Sequence, residues 1–503
     1  MNKSKFIKNV VFGFGGQLII LALGLIVPRM MISSYGSDVN GLVSTITQIF
    51  SYMALLEAGI GQAAKNALYK PIIKNDKNGI SEVASIARSY FRRITLFYGI
   101  GVILLSVLLP LILKTDVDYL TVFLIVFFEG MSGVVTFYFI QTQTVILMAD
   151  GRGYVNNGVT VVNKSLSYGV KIFMAYFGMN IAFLQLIYFL ITIVKVFFYT
   201  FYFRKNYPWL HYRKTPRSVK LKDRNSFIIT ELAWTLFSST DMIVLSMFVS
   251  TQLASVYSVY NLIFTSLNVL LNAVYTSVNY MLGQTYHKDR ALYPKVHDSF
   301  MSLFVGSMTI MVSIAYVLIL PFVQLYTRGV NDINYIYAAM PVLFSMVQLL
   351  SWSRNVTGNL TGVAGYAKQV SIISLIEAFT NIIASVVLVF FFGIIGVLFA
   401  TVIALPIKVI YCAYLADKKI MNRSYWNTIK ILGSNYALFA VVAVISQFFE
   451  LPIHSYLDLI LYGIPVGIVC AVLGVAVNLL VNPYCLKLAK QLKRRKPQKS
   501  QEA

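Results

Sequence analysis

Arg29, Glu129, Lys164, Lys171, Asp241, Arg354 and Glu377 fall inside long apolar runs of this 503-residue chain. A charged side chain at the centre of a bilayer costs about 2.5–3.5 kcal/mol on insertion scales, so such groups usually pair or face water. Two kinds of chemistry are open to the cations. They can neutralise a carboxylate, or they can hold an anion, arginine through its planar fork and lysine as a point charge. The acids can gate by pairing with those cations. Catalysis is poorly served: the histidines (His211, His287, His297, His454) lie in or near connectors with no ligand at helical spacing. The three cysteines show no CxxC pattern, so neither disulfides nor structural zinc is expected. No metal or cofactor is expected.

The elements that place these charges are apolar helices. The chain is 58% hydrophobic and 12% charged, with mean hydropathy +0.71. A soluble fold of this length could not cover so much apolar surface. Runs long enough to span a bilayer recur near 9–33, 39–64, 93–114, 119–147, 154–178, 181–203, 226–249, 252–282, 299–325, 334–360, 366–392, 394–415, 431–449 and 457–480. The expected fold is therefore an all-α polytopic membrane protein with about fourteen transmembrane helices. The positive, then apolar, start reads as the first span rather than a cleavable signal.

The net charge of +23 sits in alternate connectors and in the tail KLAKQLKRRKPQKSQEA. That is the positive-inside pattern rather than a nucleic-acid footprint. It puts both termini and the basic connectors in the cytoplasm, and it sets the tail against anionic membrane lipids. The opposite connectors (SSYGSDVN, KTDVD, FGMN, VSTQLA, FFGIIG) are short and nearly uncharged.

A shift of about 213 residues superimposes the halves: Gly153-Tyr154 on Gly365-Tyr366, Lys195 on Lys408, Lys164 on Glu377, and Arg29 on Met242 beside Asp241. Two pseudo-symmetric six-helix lobes around a central cavity follow, with two extra C-terminal helices. The expected boundaries are 1–203 for the N-lobe, 204–225 for a cytoplasmic linker, 226–416 for the C-lobe, 417–482 for helices 13 and 14, and 483–503 for the basic tail.

At about 1.5 Å per residue, Arg29 lies about 6 Å below the outer face. Glu129 and Lys164 lie about 15–16 Å in, on neighbouring helices, so they can pair at mid-membrane. Lys171 has no evident partner. Arg354, Lys195 and Lys408 are close enough to the cytoplasm to snorkel to headgroups. Arg29 and Asp241, alike in depth, are expected to form a gate.

KNVVFGFGGQLI, SSYGSDVNGLVSTI, LLEAGIGQAAKNALYKPI and IARSYFRRI resemble the Wzx-type polysaccharide repeat-unit flippases of the multidrug/oligosaccharidyl-lipid/polysaccharide exporter superfamily. The resemblance implies a multi-pass protein of the bacterial cytoplasmic membrane. It implies alternating access that carries an undecaprenyl-pyrophosphate-linked oligosaccharide to the outer leaflet for capsule or exopolysaccharide assembly. Glycosyltransferases and a polymerase of the same pathway would be its partners. On that footing Arg29, Lys164, Lys171 and Arg354 become candidate diphosphate ligands, with Arg29, Asp241, Glu129 and Glu377 in gating or ion pairs. The coupling ion, Na+ or H+, is left open. A lipid II flippase shares all these features and is the alternative. A multidrug exporter calls for an acidic cavity, a polymerase for a large outer loop, and a channel for a filter segment; none of these is evident.

Overall fold

The computed structural model describes residues 15–212 and 240–485. The start of the first apolar run, the linker from 213, most of the seventh run and the basic tail lie outside the described residues. All regular structure among the described residues is helical. In chain order the helices are α1 (Gly16–Ile73), α2 (Lys77–Ile112), α3 (Tyr119–Ala149, with a π-helical turn at Thr136–Ile140), α4 (Gly153–Tyr176) and α5 (Ile181–Asn206). The end of another helix covers 240–248. Then follow α6 (Thr251–Lys288), α7 (Tyr293–Tyr326), α8 (Met340–Val363), α9 (Ala367–Tyr414), α10 (Trp426–Ser446) and α11 (Tyr456–Val481).

Nine stretches of the described residues are long and apolar enough to cross a membrane, and the chain is a multi-pass membrane protein. The difference from fourteen apolar runs has three causes. α1 and α9 each contain two runs, α4 and α8 hold no stretch apolar enough to count, and the seventh run is only partly described. As a straight rod, the 58 residues of α1 would be about 87 Å long, nearly three times a bilayer core. Two glycines resolve that conflict. Gly36 (φ 85°, ψ 170°) breaks α1, and Gly393 (φ 54°, ψ −130°) breaks α9. Both conformations clash with a Cβ, so each turn between spans depends on glycine.

Helix starts follow local chemistry. Asp76 accepts from the Gly79 amide, Asp118 from Thr121 and Asn180 from Ala182, and Ser455 with Asp458 closes a capping box. The Thr121 amide and hydroxyl hold the exposed Asp118 carboxyl below the usual range, so this cap stays charged into acid.

The chain divides into two compact units, residues 1–258 with 329–333, and residues 259–328 with 334–503. In the first, one apolar cluster gathers Leu68, Phe91, Ile140, Ile146 and Tyr199, and a second gathers Leu42, Phe50, Tyr98, Val126 and Leu184. In the second unit, α7 carries both C-terminal helices. Asn435 of α10 and Asn478 of α11 exchange hydrogen bonds of 3.0 Å, and Asn478 sits over Gly306, where a Cβ would collide with it. Reciprocal amide pairs of this kind join helices in an apolar medium by satisfying each other.

Candidate membrane-embedded ionic sites

α4 has an exposed apolar stripe of Val162, Leu166, Phe173 and Tyr176, the spacing of a lipid-facing side. Lys164 is exposed too, yet it lies half a turn away from that stripe. Lys171 shares its side of the helix. An exposed cation on the side turned from lipid faces water rather than hydrocarbon. α5 repeats the pattern: Leu190, Val194, Phe197 and Phe201 form the outer stripe, and Lys195 lies on another face.

Polar contacts set the register of α4 on its neighbours. Asn163 donates to the Ile191 carbonyl (3.4 Å), Tyr199 donates to Asn156 (2.7 Å), and Thr144 of α3 reaches the same Asn156 oxygen. With this register Lys164 and Lys195 are close enough to repel each other. Lys164 is eleven residues from the start of α4 and Lys195 eleven from the end of α5, about 16 Å along each axis.

Glu129 does not take Lys164 as its partner, as its depth alone suggests. Its charge interacts with Lys171, two turns further along α4, and it accepts a hydrogen bond from Gln185. The Lys171 ammonium lies 4.8 Å from the centre of the Tyr188 ring. The partner expected to be missing for Lys171 is therefore Glu129. Depth along a helix places two groups on one level, but the azimuth decides which of them meet.

By the 213-residue shift, the position of Lys164 falls on Glu377 in the second unit. Arg354 and Glu377 form an ion pair at 3% and 2% exposure. Lys408 is close enough to interact with both. Arg354 is thus buried against a carboxylate instead of reaching the cytoplasmic headgroups, and its fork is oriented by Glu377. Position 141 of α3, equivalent to 354 by the 213-residue shift, holds a glutamine.

Arg29 is half-buried, seven residues before the Gly36 turn, so helical structure extends further past it than the apolar run suggests. That is about 10 Å along the helix axis. Asp241 is buried seven residues before the end of its helix and accepts from the Tyr257 hydroxyl (3.0 Å). Next to it, Thr240 and Tyr52 share a 2.6 Å hydrogen bond.

The residue composition of the short, weakly charged connectors gave no hint of the polar network they build in the first unit. Asp38 accepts from the Thr115 hydroxyl (2.8 Å), the Asp116 amide (2.8 Å) and the Thr251 hydroxyl. Asn40 donates to Ser255 (2.8 Å), and Ser37 donates to Asp332 through its amide and its hydroxyl (2.7 Å each). Lys114 donates to the Phe248 carbonyl (2.7 Å). Asp38, Lys114, Asp116, Val249 and Gln252 line a pocket of about 270 Å³ beside the network. Gly41 permits the approach: a Cβ there would overlap the Thr251 carbonyl.

A last cluster lies in the second unit. Arg423 grips Asp298 through two nitrogens (2.6 and 2.7 Å) and Asp417 through Nε (2.8 Å). Burial opposes the Arg423 charge, but the two carboxylates outweigh it and raise its affinity for the proton. No group of three or more metal-ligating side chains is found among the described residues.

No family model and no curated protein matches the sequence. Solved structures do. The chain is similar to an inward-facing multidrug resistance MATE family transporter of the MOP superfamily (TM-score 0.66, 14% identity, covering 80% of this chain and 95% of that one). It is similar to the lipid II flippase MurJ in an inward closed conformation (TM-score 0.64, 14% identity, 96% and 100%). A third is a MOP superfamily transporter from Pyrococcus furiosus, described as having a binding pocket of reverse polarity (TM-score 0.54, 14% identity, 84% and 96%). With sequence identity this low, what the chain shares with these MOP-superfamily transporters is their fold.

Proposed function

We propose that this protein is a flippase that moves an undecaprenyl-diphosphate-linked oligosaccharide from the inner to the outer leaflet of a bacterial cytoplasmic membrane, for capsule or exopolysaccharide assembly. The observation that carries the reading is the basic side of α4, where Lys164 and Lys171 lie away from the lipid-facing stripe. Cations held inside an apolar protein call for an anion, and a diphosphate joining a polyprenyl chain to a glycan is such an anion. The multidrug alternative calls for an uncompensated acid facing a cationic drug. Here Glu129 and Glu377 each have a basic neighbour.

In this reading the diphosphate enters from the inner leaflet and meets Lys164 and Lys171. Arg29 and Asp241 act as an ion-pair gate towards the outer face. The Asp38 network keeps the weakly charged end closed, and it must break for the glycan to leave. Arg354 neutralises Glu377. The coupling ion is Na+ or H+.

A second reading, lipid II as the cargo, is supported by the alignment to MurJ over the full length of that chain. The test is translocation in proteoliposomes containing the purified protein. A lipid-linked capsular repeat unit and lipid II are offered separately, and arrival in the opposite leaflet is read with an impermeant glycan-modifying reagent. Movement of the repeat unit alone supports the first reading. Movement of lipid II alone supports the second, and movement of neither refutes both.

A further inference from the structure

Among the described residues, Lys164 and Lys195 have no acidic partner. Neither has an ion pair, a hydrogen bond or an aromatic ring to hold its ammonium, and the charge of Lys164 acts on Lys195. They sit at one level, about 16 Å from the start of α4 and the end of α5. Asn163 and Asn156, one residue and two turns from Lys164, tie α4 to α5 and keep the two stems from moving apart.

The internal repeat supplies a control within the same molecule. Positions 141, 164 and 195 hold Gln, Lys and Lys, and their counterparts 354, 377 and 408 hold Arg, Glu and Lys. In the second unit the acid is present, and the triad closes on itself with Arg354 and Glu377 buried. In the first unit a lysine stands where the acid would be, and it is exposed. Two like charges side by side in a low-dielectric setting are unfavourable unless something between them is negative.

We propose that Lys164 and Lys195 form a two-point site for a diphosphate group, one ammonium to each phosphate, while the equivalent position of the second unit is self-neutralised and takes none. This deepens the flippase reading and rests on it for the lipid part of the ligand. Lys195 becomes a binding residue, and Lys164 sets the polarity that distinguishes the two units.

The test is equilibrium binding to the purified full-length protein in nanodiscs. The probes are undecaprenyl diphosphate, undecaprenyl monophosphate and inorganic diphosphate. A charge-assisted contact of this kind corresponds to about tenfold in affinity. Lys164→Gln and Lys195→Gln should each lower diphosphate affinity about tenfold, and the double variant about a hundredfold. The monophosphate should lose less. Lys164→Glu copies the second unit, should pair with Lys195, and should abolish diphosphate binding. It removes a repulsion, so folding should survive, and an unchanged thermal melt confirms that. Lys408→Gln should leave binding as it is.

If the wild type binds the lipid diphosphate and the Lys164 and Lys195 variants bind it equally well, the two-point site is refuted while the flippase reading stands. If inorganic diphosphate binds through these lysines and the lipid diphosphate does not, the site stands and the lipid reading fails. If the wild type binds neither diphosphate, both fail.

Discussion

Replacing Glu377 with glutamine tests the closed triad of the second unit. The change keeps the shape of the side chain and removes its charge. Arg354, at 3% exposure, then faces a neutral amide, with Lys408 still close by. Removing one partner of a buried ion pair costs about 3–5 kcal/mol, because the charge left behind stays desolvated and unpaired. The second unit has more than two hundred residues, a size for which about 1 kcal/mol moves Tm by roughly 2–4 °C. A fall of roughly 6–20 °C is therefore expected. The converse change, Arg354→Met, should cost less, about 1.5–3 kcal/mol, because Lys408 remains to neutralise Glu377. The double variant Arg354→Met, Glu377→Gln should be more stable than Glu377→Gln alone. The assay is retention of the size-exclusion peak after heating, with the wild type and all three variants in one detergent. A Glu377→Gln melt within about 2 °C of wild type would show that the pair is not held in a desolvated site. A double variant less stable than Glu377→Gln would show the same.

Other substitutions address the gate, the turns and the cysteines. Reversing Arg29 to Asp should impair translocation, and adding Asp241→Arg should restore part of it; a double variant no better than either single removes the gate. Gly41→Val places a side chain on the Thr251 carbonyl, so it should open the weakly charged end, read as faster maleimide labelling of a cysteine introduced at Ser255. Gly393→Ala should cost roughly 1–3 kcal/mol and lower the yield of folded protein, because φ 54°, ψ −130° excludes a Cβ. The Cys485 thiol, pushed up by burial and donating to the Ser299 carbonyl, should resist maleimide at neutral pH with Cys412 and Cys470 until detergent denaturation exposes all three.

The helical class and the order of spans were legible because a bilayer imposes one rule everywhere: about twenty apolar residues per crossing, with basic residues on one side. The turns at Gly36 and Gly393 lay in connectors already recognised, and α4 and α5 closely match their apolar runs. The charges were legible as a set, because each interrupts an apolar run. Their partners were not legible. Glu129 meets Lys171 rather than Lys164, and Arg354 meets Glu377 although 23 residues separate them. The Asp38 network escaped because its members are ordinary polar residues of helix ends and connectors, brought together from positions 37–40, 114–116, 248–255 and 332.

What the amino-acid sequence determined by itself is which charges interrupt apolar runs and roughly how far along its helix each one sits. The second follows from counting residues along a helix of constant rise. Tertiary structure decided which of those charges are compensated. Rotation about the helix axis and the packing of neighbours turn Arg354 towards Glu377 and set Lys164 beside Lys195. An ion pair needs contact within a few ångströms, and a one-dimensional repeat specifies level but not azimuth.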